Sequence, residues 1–344
     1  MRAFPLLSFG RTYVIAEIGV NHNGDPDMAR QMIDVAKSAG ADAVKFQTFN
    51  PAKLVTSRAE KAAYQTANDG RAESQREMLE RLVLSKNDLL AIADYTRATG
   101  LEFLSTPFDA DSAALLDSLD VAAFKISSGD LTALDYLRTL ARYGRPMILS
   151  TGMGSLVETA EAVTAISEAG DPPLALLHCV SNYPAAPEAA NLRAIDTLAQ
   201  AFQVPVGWSD HTLGEAVAIA AVARGAVIVE KHFTLDKSLP GPDHKASLSP
   251  EELQSYIAAI RTVELALGDG IKRPHPSELP TIAAARRSLI LNRDMAAGEV
   301  IGEADIVTLR PGHGLAPKHR VHVIGRTMQA ARPQGHVLTW SDLT

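Results

Sequence analysis

Eight short apolar runs, each separated from the next by a stretch of helical periodicity, leave this chain few folds to choose from. The runs fall at 13–18, 43–46, 101–104, 122–126, 146–149, 174–177, 204–206 and 226–229. Strands that are apolar throughout are buried on both faces, which requires a parallel sheet covered by helices. Eight such units favour closure into a (β/α)8 TIM barrel over an open doubly wound sheet. The intervening helices carry their own signals: Met28, Met32, Ile33, Val35 and Ala36 form one apolar face that ends at Gly40, and similar stretches lie at 115–119, 156–166 and 216–222. One unit is irregular. A long polar insertion at 50–71 contains Lys61, Tyr64 and the helix-breaking Asn68-Asp69-Gly70, before a helix resumes at Ser74 with Met78, Leu79, Leu82 and Val83 on one face. Such a loop is either a lid over the barrel mouth or a surface excursion.

The 344 residues exceed the ~250 of a lone barrel. The stretch GDGIKRPHPSELP at 268–280 has three prolines and no apolar period, so it reads as a linker. The expected division is a catalytic barrel at 1–268, a linker at 269–284 and a small β-rich domain at 285–344. That last part repeats itself: Gly298 to Ile306 and Gly335 to Leu343 share the pattern G-x-V-[I/L]-x-x-x-D-[I/L].

Composition excludes rather than identifies. A net charge of −7 gives no general support to nucleic-acid binding, so any anionic ligand must meet a local positive site. The single cysteine, Cys179, cannot form an internal disulfide. No signal-peptide core and no run near ~18 apolar residues is present, so a cytoplasmic protein without membrane contact is expected.

In such a barrel the loops after the strands build the site, and here they are unusually polar. They carry Glu17 with Asn21 and His22; Lys45 with Gln47; Ser105 and Thr106; Lys125 with Ser127, Ser128 and Asp130; Ser150 and Gly152; His178 with Ser181 and Tyr183; Ser209, Asp210 and His211; and Glu230 with His232. Residues two apart on a strand face the same side, so Lys45 pairs with Gln47 and Glu230 with His232, and Lys231 faces away. His211 and His232, from neighbouring strand ends, are within reach of one divalent ion; hydrogen-bonded histidines of no catalytic role are the alternative. Two buried lysines, Lys45 and Lys125, point either to an anionic ligand or to pairing with Glu17 and Glu230. The Ser-Thr-Gly-Met turn at 150–153, read as opening a helix, adds weight to the anion. Cys179 follows His178 directly and so faces the other way, which argues for a packed core thiol and not a nucleophile. No G-x-G-x-x-G or Walker sequence follows a strand.

These strand ends, from Ala16-Glu17-Ile18-Gly19-Val20-Asn21-His22 through Lys45-Phe46-Gln47-Thr48-Phe49, Ser105-Thr106-Pro107-Phe108-Asp109, Ser209-Asp210-His211-Thr212 and Glu230-Lys231-His232-Phe233 to the segment Gly241 to Ser247, resemble the sialic acid synthase family. The tail from Arg286 to Leu343 resembles that family's antifreeze-like (SAF) domain. The resemblance implies condensation of phosphoenolpyruvate with an acylamino sugar, N-acetylmannosamine in the first reading, with the diacetamido-trideoxymannose that leads to N,N'-diacetyllegionaminate as the alternative. It implies catalytic roles for Glu17, Lys45, Gln47, Asp130 and Glu230, and substrate contacts from Lys125, Ser128, Ser150, Gly152, Ser181, Tyr183, Ser209, Asp243 and Arg310. It further implies a divalent ion, manganese in preference to magnesium or cobalt, on His211 and His232. Arg310 is expected to reach the acceptor across a domain-swapped homodimer. Two departures stand out: Asp130 occupies a place where the family usually has glutamate, and Ser181 one where threonine or asparagine is common. A sugar-binding protein without catalysis is the reading from a different class, opposed by the intact Glu17, Lys125, His211 and His232.

Overall fold

The computed structural model describes residues 4–69 and 71–344, and the chain divides into two units, Met1–Gly268 and Asp269–Thr344. In the first, eight parallel strands close into a barrel in sequence order: β1 (Tyr13–Gly19), β2 (Ala43–Thr48), β3 (Glu102–Pro107), β4 (Phe124–Ile126), β5 (Met147–Ser150), β6 (Leu174–Cys179), β7 (Val206–Asp210) and β8 (Ile228–His232). Closure is made where β8 meets β1, with Tyr13 opposite Ile228 and Glu17 opposite His232. The barrel expected from the apolar runs is the one that forms, but several strands reach further than the runs. Gln47, Cys179, Ser209 and His232 lie beyond the apolar runs and are strand, as the alternation applied to Gln47, Cys179 and His232 requires. The seventh run was misplaced, since only Val206 of 204–206 lies in β7.

Alternation along the strands makes two cores. Outward residues, among them Val14, Ala16, Val44, Phe46, Phe103, Leu149, Trp208 and Val229, pack with the surrounding helices. The helix Pro26–Ala39 shows how a helix is fixed there: Asp25 caps its first amides, Pro26 occupies the first turn, Gly40 ends it at φ 87°, and Ala29, Met32, Ile33 and Ala36 are buried. Inward residues Ile15, Ala43, Leu104, Ala123, Ile148, Leu177 and Ile228 fill the barrel's interior, each large one contributing roughly 1.5–3 kcal/mol by burial. Two positions further along each strand the inward residue is Glu17, Lys45, Thr106, Lys125, Ser150, Cys179 or Glu230, and on β7 Ser209 follows Gly207 in the same way. An apolar floor therefore lies directly beneath a polar layer.

The insertion is more ordered than its composition suggests. It holds two short helices, Pro51–Leu54 and Ala63–Asp69, so Asn68 and Asp69 continue a helix that they were expected to break. Gly70 and the side chain of Tyr64 lie outside the described residues. The helix Gln75–Leu82 starts at a Ser74–Glu77 capping box and buries Met78, Leu79 and Leu82.

In the second unit, 269–284 is not wholly irregular, for a 3-10 turn at Pro276–Glu278 leads into the helix Leu279–Ala285. Beyond it, β9 (Ser288–Leu291) pairs antiparallel with β10 (Ile306–Leu309). The sequence repeat is a structural one. Gly298 N–H donates to the Met328 carbonyl and Gly335 N–H to the Leu291 carbonyl, the same bond exchanged between halves. Ile301 N–H to Arg326 and Leu338 N–H to Leu289 repeat the exchange. Each half thus completes the other's backbone pairing. Both repeated aspartates end a 3-10 turn and hold an arginine, Asp305 with Arg293 and Asp342 with Arg332. Among the described residues no helix is long and apolar enough to cross a membrane.

Candidate active site

The polar layer opens into a cavity of about 520 Å³ at the carboxyl ends of the strands. Glu17, Lys45, Gln47, Lys125, Ser128, Ser150, Ser181, Tyr183, Ser209, His211, Glu230 and His232 all line it. Asp243 lines a smaller adjoining space of about 100 Å³ that shares Gln47, Tyr183 and His232 with the first. Asp130 does not line the cavity: it closes the turn Ser128–Asp130, its Oδ2 buried without a hydrogen-bond partner among the described residues and its carboxyl pushed by burial up to about 6. Arg310 belongs to the second unit, where it is exposed.

At the centre stand two lysines and two glutamates, all nearly inaccessible to water. Lys45 Nζ lies 2.6 Å from Glu17 Oε2 and 3.9 Å from Glu230 Oε2, while Lys125 Nζ lies 3.2 Å from Glu230 Oε1. Lys45 also donates to Thr106 Oγ1, and Ser209 Oγ to Glu230. Both lysines are thus paired with internal acids, but the pairing is unequal. Burial, with Glu230 close by, pushes Glu17 up to about 7 against the pull of Lys45. At Glu230 burial acts the same way, yet Lys125 and Lys45 outweigh it and hold the carboxylate below its usual range. Burial lowers the pKa of Lys125 despite Glu230, whereas at Lys45 burial is outweighed by Glu17 and Glu230, which raise it. Two lysines facing one full carboxylate and one partly neutral acid suit an anion, whose charge would favour the ammonium form of Lys125.

Next to them, serine hydroxyls converge on the Gly152 turn. Ser128 Oγ accepts the Gly152 amide at 2.9 Å, and Ser150 Oγ is buried with no hydrogen-bond partner among the described residues. A methyl group on Gly152 would sit 2.5 Å from Ser181 Oγ, 2.9 Å from Ser128 Oγ and 3.1 Å from Cys179 Sγ, so glycine is what lets the hydroxyls converge. The helix expected to open at 150–153 begins instead at Leu156, capped by Ser155. An anion bound here would therefore be met by side chains and the Gly152 turn, not by a helix terminus.

The imidazoles of His211 and His232 face each other with centroids 5.7 Å apart, and the Tyr183 ring lies 4.1 Å from that of His211. His211 Nδ1 donates to the Val180 carbonyl at 2.7 Å, leaving Nε2 as the lone-pair nitrogen of the neutral ring. Burial and the nearby His211 hold the pKa of His232 well below the ordinary value, and its buried Nδ1 has no hydrogen-bond partner among the described residues. At His211 burial acts likewise, but Cys179 and the Val180 carbonyl reverse the shift. Two converging imidazoles, one with an orphaned nitrogen, fit a divalent ion whose other positions go to water and substrate. Among the described residues no group of three or more His, Cys, Asp or Glu side chains forms a complete ligand set.

Sequence reasoning missed part of this lining. Cys179 is no plain core thiol: its Sγ lies in the cavity, 3.8 Å from His211 Nδ1, while His178 faces outward to the Ala190 carbonyl. The signal was available, because Cys179 is two residues beyond the inward Leu177. Gln65, Leu54 and Val55 of the insertion also line the cavity, and Asn68 donates to the Pro242 carbonyl beside Asp243. No strand pattern could have brought those residues there.

Comparison with known proteins shows the family. The model of the NeuB family matches residues 32–272 and that of the SAF domain residues 286–344. The chain is 45% identical over 335 residues to the N,N'-diacetyllegionaminic acid synthase of Legionella pneumophila, spanning 96% of this chain and 94% of that protein. It is 42% identical over 318 residues to the enzyme of that name from Campylobacter jejuni, spanning 92% and 95%. Among solved structures, the N-acetylneuraminic acid synthetase of Leptospira borgpetersenii in complex with citrate superposes with a TM-score of 0.69 at 34% identity, over 79% of this chain and 90% of that one.

Proposed function

This chain belongs to the NeuB family, and from that premise we propose that it condenses phosphoenolpyruvate with the open-chain aldehyde of an acylamino mannose, giving a nonulosonic acid and phosphate. The observation that carries the proposal is the juxtaposition, in one cavity, of the Lys45–Glu17–Glu230–Lys125 cluster, the Ser128–Ser150–Ser181–Gly152 cradle and the two imidazoles. Phosphoenolpyruvate is held by Lys125 and the cradle hydroxyls, with Lys45 alongside. Its C3 attacks the aldehyde carbon, water adds at C2, and the C–O bond to phosphate breaks. A divalent ion held by His211 and His232, manganese in preference to magnesium or cobalt, supplies Lewis acidity toward the aldehyde oxygen. Fixed ammonium and hydroxyl groups stabilise the moving negative charge without having to reorient. Glu17, poised near neutrality, handles the proton passing between sugar hydroxyl and water.

The acceptor we favour is the diacetamido-trideoxymannose, because the two relatives at 45% and 42% identity both carry the legionaminic acid synthase name. N-acetylmannosamine is the second reading, supported by the structural likeness to an N-acetylneuraminic acid synthetase. Phosphate release from phosphoenolpyruvate, measured with manganese and each acceptor side by side, tests both. A higher kcat/KM with the diacetamido sugar is expected; the reverse ranking selects the second reading, and no release with any aldose removes the enzymatic one. We also propose a homodimer in which Arg310 of one subunit meets the acceptor of the other. Arg310→Ala should then raise the acceptor KM more than that for phosphoenolpyruvate, and an equal effect on both counts against it.

A further inference from the structure

Behind the cavity wall, on the outward face of the barrel, lies a buried charged cluster that the reaction does not use. Lys231 Nζ sits 3.2 Å from Asp210 Oδ2, donates to the Thr212 carbonyl and lies over the Tyr256 ring, 5.9 Å from its centre. Asp210 accepts on both oxygens: Oδ1 from the Thr212 amide and hydroxyl, at 2.9 and 2.7 Å, and Oδ2 from the Tyr256 hydroxyl at 2.9 Å. Tyr256 comes from the helix Pro250–Leu267, and none of the four residues is more than 1% exposed.

Burying a lysine and an aspartate is costly, and an apolar set of the same volume is often as stable or more so. Its position suggests what such a cluster does. Asp210 and Lys231 are register partners across β7 and β8, and the next residue in each case lines the cavity: His211, just past the end of β7, and His232, the last residue of β8. Asp210, Thr212 and Lys231 close a hydrogen-bonded ring around the backbone of His211, which therefore cannot shift along its strand without breaking it.

We propose that Asp210, Lys231 and Tyr256 are positioning residues: from outside the barrel they lock the ends of β7 and β8 so that His211 and His232 stand at the separation one divalent ion requires. The inference rests on the assignment of those histidines as metal ligands. Groups that orient ligands from behind typically matter by about 10–100-fold in metal affinity.

The test measures Mn2+ affinity of the full chain by calorimetry and by electron paramagnetic resonance of free Mn2+, together with melting temperature. Lys231→Met and Tyr256→Phe are compared with Leu140→Ala, a buried control on the helix Leu134–Ala141. Expected is a loss of roughly tenfold or more in Mn2+ affinity for both cluster variants, partial recovery in Lys231→Arg, and no comparable loss in the control at a similar drop in melting temperature. A change below about threefold in the cluster variants, or an equal loss in Leu140→Ala, overturns the proposal. Wild-type protein that takes up no Mn2+ removes the metal assignment itself, a different and recognisable failure.

Discussion

Glu17 illustrates how a residue legible in the sequence acquires its property only from its neighbours. Its place at the end of β1 follows from the strand pattern, but its shift to about 7 comes from burial and from the neighbouring Glu230, against the opposing pull of Lys45 and Lys125. As a proton acceptor it is charged above that value and neutral below it, so activity should climb as pH rises through about 7 at saturating metal. Glu17→Gln should lose that rise and roughly 100-fold or more in kcat; a variant with near wild-type turnover and an unchanged pH profile refutes the role. Gly152 offers a second check at this scale. A methyl there meets the Ser181 and Ser128 hydroxyls at 2.5 and 2.9 Å, so Gly152→Ala should raise the KM for phosphoenolpyruvate about tenfold, the equivalent of roughly 1.4 kcal/mol, with a smaller effect on acceptor KM. Cys179 shows the limit of local reading: alternation aims it inward, but its neighbour His211 comes from the end of a different strand.

At the level of elements, the apolar runs located seven strands and touched β7 only at Val206, and they misjudged where several strands end. The reason is the layered interior: hydrophobicity marks a strand only across the apolar floor, and the polar layer above it looks like loop. β7 suffers most because its inward position in the floor is Gly207. A Cβ there would lie 2.3 Å from the Ile228 carbonyl and 2.6 Å from Leu177 Cδ2. Backbone on the neighbouring strand cannot move aside as a flexible side chain can, so Gly207→Ala should destabilise the barrel by about 3 kcal/mol, measurable by chemical denaturation. The insertion failed differently. Asn68 and Asp69 are poor helix formers in isolation, yet they lie in the helix Ala63–Asp69, where Asn68 is tied to the Pro242 carbonyl.

Across the whole molecule, two units are built on different principles, one by closing eight parallel strands and one by exchanging backbone bonds between two halves of a repeat. Asp342 anchors the second. Although burial opposes it, the Thr339 hydroxyl and amide, His336 and Arg332 hold its carboxyl down to about 2. Its contribution is therefore complete above the unfolded value near 3.8 and is lost as pH falls through about 2. That difference corresponds to about 2 kcal/mol. Asp342→Asn should remove it at neutral pH and flatten the acid loss between about pH 4 and pH 2, read by hydrogen exchange across residues 288–343. Sequence alone determined the barrel, the repeat and the inventory of polar strand ends, because periodicity and spacing are local properties of the chain. Tertiary structure alone decided which acid is nearly neutral, that Cys179 faces His211, that the insertion walls the cavity and that a buried Asp210–Lys231–Tyr256 cluster stands behind the two histidines. Each of these depends on distances between residues far apart in sequence, and those distances exist only once the barrel has closed.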